Sequence, residues 1–113
     1  MIAAKIVLDA GGNIASFESR GHSGTAAAGQ DLVCAAFTVL ARTAYEALAA
    51  LPGSELTGSA PGPGSLHFSV RRMDAATAER AGGIADFLLA GISGLEREYP
   101  GVVGLTIERY WRE

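Results

Sequence analysis

The residues best suited to chemistry lie in one stretch, RGHSGTAAAGQDLVCAAF, running from Arg20 to Phe37. It holds the chain's one cysteine, Cys34, with Asp31 three positions before it and His22 twelve before it. A thiolate is a strong nucleophile, and an imidazole within hydrogen-bond reach can take the thiol proton and later return it to an amine leaving group. The spacing permits that contact, because the intervening loop Ser23, Gly24, Thr25, Ala26, Ala27, Ala28, Gly29 and Gln30 has little bulk to pin it. Such a loop can double back over a helix N-terminus, and it is expected to act either as a flexible lid over the site or as a plain connection. If Asp31 is the N-cap of a helix, Cys34 stands at its third position, where unpaired amides and the helix dipole favour thiolate over thiol. The Asp31 carboxylate works the other way, so a cationic group beside the sulfur is required. His22 is the candidate for that role.

Two other readings of these residues stand beside the catalytic one. Isolated cysteines are among the most buried residue types and usually act as small hydrophobes. Asp31, Cys34 and His22 also supply three metal donors, but the paired CxxC or HxxxH spacings of zinc sites are absent, and no metal or other cofactor is expected. The second histidine, His67, alternates with Leu66 and Phe68 and reads as a solvated position on the far side of its strand.

The elements that must position these residues follow from periodicity and punctuation. Ile2 to Leu8 and Ile14 to Arg20 read as strands joined by a glycine turn, Asp9 to Asn13. Alternation puts Ile14, Ser16 and Glu18 on one side of the second strand and Ala15, Phe17 and Ser19 on the other. Val33, Phe37, Leu40, Ala44, Leu48 and Leu51 recur at helical spacing until Pro52 and Gly53 stop the helix. Cys34 is offset by one residue from that stripe, so it need not face the core. A second hairpin comes next, with the turn at Pro61 to Gly64 and Leu66, Phe68 and Val70 alternating. Asp74 is placed to cap a second helix with the stripe Ala81, Ile84, Leu88, Ile92, Leu95 and Tyr99, and Val103, Leu105 and Ile107 share one face of a last strand. The order β-β-α-β-β-α-β implies an α+β fold, an antiparallel or mixed sheet packed with two helices. Gly82, Gly83, Gly91 and Gly94 are unfavourable in a helix, which points to close packing against the other helix or a second copy of the chain.

Bulk properties agree with one globular domain over residues 1–113. Hydrophobic residues make up 49% and charged residues 19%, which excludes a disordered chain. The net charge of -3 and the lack of a Lys/Arg cluster argue against direct nucleic-acid binding. One cysteine cannot form an internal disulfide, no signal-peptide core precedes the first strand, and no run of about 18 apolar residues suggests a membrane span. A soluble cytoplasmic protein is expected.

The segment GHSGTAAAGQDLVCAAFT, from Gly21 to Thr38, resembles the signature of the bacterial ribosomal-processing cysteine protease Prp family. Gly21, His22, Gly29, Asp31, Val33, Cys34 and Ala35 fall on that pattern, and Thr38 replaces a frequent serine while keeping the hydroxyl. The resemblance extends to the opening hairpin and to the close of the second helix at Glu98, Tyr99 and Pro100. It implies a cysteine endopeptidase that removes the N-terminal extension of a large-subunit ribosomal protein, with Cys34 as nucleophile and His22 as general base and acid. Asp31 would support by capping, orienting His22 or shaping the loop, with capping ranked first. A homodimer is implied as well. Amides near Val33 to Ala35 are expected oxyanion donors from helix-end geometry, and Phe17, Phe68 or Tyr45 is expected to line a substrate pocket. A non-catalytic ribosome-associated binding module is the alternative.

Overall fold

β1 (Ile2–Leu8) is an alternating strand whose Ile2, Ala4, Ile6 and Leu8 are buried while the residues between them are not. The structure is a computed structural model and describes residues 1–21, 30–60 and 65–109, with Gln30 and Asp31 described by backbone alone. The expectations for His22, for the rest of the loop to Gly29, and for the turn at Pro61 to Gly64 lie outside the described residues. The Asp9 carboxylate closes the first turn by accepting the amides of Gly11 at 2.9 Å and Asn13 at 3.0 Å, and Gly12 takes φ +84°.

The chain continues through β2 (Ile14–Arg20), α1 (Gln30–Ala49), β3 (Glu55–Ser59), β4 (Ser65–Arg72), α2 (Ala78–Glu98) and β5 (Val103–Arg109). The expected element order holds. The five strands form one mixed sheet in the order β3-β4-β2-β1-β5, with β5 parallel to β1 and the other pairs antiparallel. Registry aligns Ile6, Phe17, Phe68 and Gly58 across four strands. The two helices cover the face carrying that row, where Val33, Phe37, Ala41, Ala44 and Leu48 of α1 and Ala81, Ala85, Leu88 and Ile92 of α2 are buried. Glu18 and His67, one residue along, lie exposed on the other face, as expected for His67.

Four expectations need correction. Ile14 is buried on the same side as Phe17, because a bulge sets Leu8 opposite Ile14 but Val7 opposite Ser16, and the extra residue, Ala15, flips the alternation. Asp74 precedes a short 3-10 turn, Ala75–Thr77, and α2 starts only after Thr77; neither residue makes a side-chain capping bond. Of the α2 glycines, Gly91 matches the close-packing reading: a Cβ there would lie 2.9 Å from both Leu40 methyl groups of α1. Among the described residues a Cβ on Gly83 would meet nothing, and on Gly94 only Arg97 at 3.8 Å, so packing against those residues does not account for the two. Finally, Leu32–Ala49 is an 18-residue window long and apolar enough to cross a membrane by length and composition. Its alanines raise the mean hydropathy although no long unbroken apolar run exists, and its stripe is packed on the sheet.

Candidate active site

Two described chain ends frame the candidate site: the exit of β2 at Gly21 and the start of α1 at Gln30. Gly21 has φ +95°, and a Cβ built there would collide with the Met1 carbonyl oxygen, so both backbone shape and space require glycine. That junction fixes the direction in which the chain leaves the sheet immediately before His22.

Cys34 sits on α1 one residue past Val33, which is 1% exposed in the core. It is half-buried and packs against the edge of the core cluster, neither sealed in hydrocarbon nor standing free in solvent. This intermediate position follows from the one-residue offset read in the sequence, since 100° of helical rotation carries a side chain from the centre of a buried stripe to its flank. Thr38, one turn on, donates its hydroxyl to the Cys34 carbonyl oxygen at 2.8 Å. The bond ties the backbone of the cysteine to the next turn. The sequence reading registers only that a hydroxyl is retained at position 38; its i+4 spacing from Cys34 is the signal for this contact.

The helix begins two residues earlier than capping by Asp31 requires. With Gln30 as its first residue, Asp31 is the second and Cys34 the fifth. In such a helix the amide of residue 34 reaches the carbonyl of residue 30, and the amides without an intrahelical acceptor lie at or before Leu32. The assignments of Asp31 as cap and of Val33 to Ala35 as oxyanion donors are therefore corrected, and any helix-end donors belong to earlier residues.

The expected aromatic pocket also changes. Phe17 and Phe68, each 1% exposed, stack in the core with ring centroids 5.4 Å apart, and Phe37 joins Phe17 at 6.2 Å. Neither Phe17 nor Phe68 offers a free ring to a substrate. Tyr45 does: it is half-buried, tilts against Phe68 at 5.3 Å and lines a cavity between α1 and the β3-β4 hairpin. On the far face, the ring nitrogen Nε2 of His67 lies 2.8 Å from the Ser59 hydroxyl.

A sequence profile described as Cysteine protease Prp matches residues 1–104. Among curated proteins there is no significant match. Among solved structures, SMU.848 from Streptococcus mutans is similar with TM-score 0.79 and 25% identity, covering 97% of this chain and 96% of that one. An essential ribosomal processing protease Prp from S. aureus, in complex with a substrate peptide, superposes with TM-score 0.78 at 19% identity over 96% of this chain and all of that one. The same S. aureus protease with a covalently linked product peptide gives TM-score 0.77 at 20% identity. The latter two likenesses carry the fold.

Proposed function

The chain belongs to the cysteine protease Prp family, and from that premise we propose that it is the endopeptidase that removes the N-terminal extension of a large-subunit ribosomal protein. The observation that carries this reading is the placement of Cys34: half-buried on the flank of α1, with its carbonyl oxygen bonded by the Thr38 hydroxyl. The peptide complexes of the S. aureus protease, which has the same fold, support a peptide substrate.

In the proposed reaction His22 takes the Cys34 proton, and the sulfur attacks the scissile carbonyl carbon to form a C–S bond and an oxyanion. Collapse breaks the C–N bond, and His22 returns the proton to the departing amine, the new N-terminus of the ribosomal protein. Water then attacks the thioester, giving up a proton to His22; collapse breaks the C–S bond and releases the new C-terminal carboxylic acid, and His22 returns its proton to the sulfur. Asp31, in the first turn of α1, supports the loop or orients His22. The sequence Ser23 to Gln30 covers the site in this proposal. No cofactor enters the scheme, and neither nucleic acid nor membrane is needed as a partner. A ribosomal substrate puts the enzyme in the cytoplasm.

The proposal includes a homodimer formed through the two helices. Leu32 and Val39 are 66% and 64% exposed and flank an apolar groove floored by Ala36, Leu40, Gly91 and Gly94. A second copy seated there would give Gly94 the packing partner it lacks within the chain.

The test is mass spectrometry of a tailed ribosomal-protein precursor incubated with the wild-type chain, with Cys34→Ala and with His22→Ala. Wild type should release one defined N-terminal peptide, and both variants should leave the precursor intact while melting as folded proteins. Full cleavage by Cys34→Ala would reject the assignment.

A further inference from the structure

The flank of α1 that holds Cys34 continues into the cavity beside Tyr45. At 100° per residue, positions 34, 38, 42 and 45 fall within about 80° of one another on the helix. Leu40, which packs on Gly91 of α2, lies on the opposite flank, so this stripe faces away from α2 and over the β4-β3 side of the sheet. The cavity, about 180 Å³, has the Tyr45 ring and Leu66 as walls, with Arg42 and Glu46 among the residues that border it. Gly58 lets the Tyr45 ring pack close to β3, because a Cβ there would stand 3.1 Å from Cε1 of Tyr45 and 3.0 Å from Cβ of Phe68. An aromatic wall, an aliphatic wall and exposed charges beside them suit a medium-sized apolar side chain.

Arg42 and Tyr45 lie about 12 and 16 Å beyond Cys34 along the helix axis, at 1.5 Å per residue. An extended peptide advances about 3.3 Å per residue, so one that runs along α1 from the sulfur reaches the cavity after four or five residues. We infer that this cavity is a specificity subsite, which receives an apolar side chain of the substrate four or five residues from the scissile bond. The inference rests on the protease reading above. Tyr45 and Leu66 would select the side chain, and Gly58 would let the Tyr45 wall stand close to the sheet.

A fluorogenic peptide copying the ribosomal-protein extension, with each residue on either side of the scissile bond replaced in turn by alanine, tests this with the full chain. The expected result is one apolar position, four or five residues from the bond, at which alanine lowers kcat/KM about tenfold or more. In Tyr45→Ala, which removes a wall, and in Arg42→Trp, which fills the space from an exposed helix position, the parent and alanine peptides should be cleaved at indistinguishable rates. Circular dichroism checks folding, and Arg42→Trp decides alone should Tyr45→Ala unfold. Undiminished discrimination in a folded variant, or no sensitive position at that distance in the wild type, overturns the subsite and leaves the protease intact. Failure of the wild type to cleave any peptide overturns the underlying reading instead, and the subsite with it.

Discussion

α1 and α2 lie on the same face of the sheet, are 20 and 21 residues long, and each buries a stripe of small and aliphatic residues. They differ in what flanks the stripe. Beside the buried line of α1 stand Cys34, Thr38 and Tyr45, with the Phe17, Phe37 and Phe68 rings beneath. Beside that of α2 stand glycines, of which Gly91 admits Leu40 of α1 while Gly83 and Gly94 have room to spare. Burial fixes both helices in the same manner, but only α1 follows a loop that leaves the sheet at a forced glycine and carries a histidine. The stripe sets the scaffold, while the flank one residue away carries Cys34, the proposed nucleophile.

The contrast between the helices is tested most severely through the aromatic cluster. Phe68 supports both Phe17 and Tyr45, and Phe68→Ala should cost about 3–5 kcal/mol of stability, read as a fall in the urea midpoint at unchanged slope. A loss below about 1 kcal/mol would mean that α1 is not held by this cluster. Gly21→Ala comes next. Its positive φ and the Met1 carbonyl predict a loss of about 1–3 kcal/mol together with a larger fall in kcat/KM, because the exit of β2, one residue before the proposed base, shifts. Equal melting and equal activity would show that this junction does not position the site.

Val39→Glu places a charge in the apolar groove and should convert a dimer to a monomer in sedimentation without loss of helix content. The smallest effect belongs to α2. Gly83→Ala should gain about 1 kcal/mol, since nothing obstructs the new methyl, whereas Gly91→Val should lose about 1–3 kcal/mol by displacing Leu40. If both substitutions stabilise, the helices are not in close contact at Gly91.

Much of this arrangement is legible in the chain. Alternation reveals the strands, periodicity gives the α1 stripe, and the offset between Val33 and Cys34 anticipates a cysteine at the edge of the core. The two hairpin pairings are legible too, but the rest of the strand order is not, because β5 joins β1 in parallel across most of the sequence and nothing local encodes that choice. Strict alternation misplaces Ile14 because it cannot register a bulge. The expected pocket role of Phe17 and Phe68 does not hold, because nothing local in the chain says that the helices cover their face of the sheet. Capping by Asp31 sets the start of α1 two residues late because aspartate is a good N-cap in general, although here it and the glutamine before it both lie inside the helix.

The central claim is that the fold makes Cys34 a better nucleophile than an ordinary cysteine, and alkylation measures this directly. Iodoacetamide at neutral pH is reacted with the native chain, the chain unfolded in urea, and native His22→Ala. The native thiol is expected to react about tenfold or more faster than the unfolded one, and His22→Ala to remove the advantage. A native thiol that reacts more slowly than the unfolded chain, with or without His22, would contradict the claim.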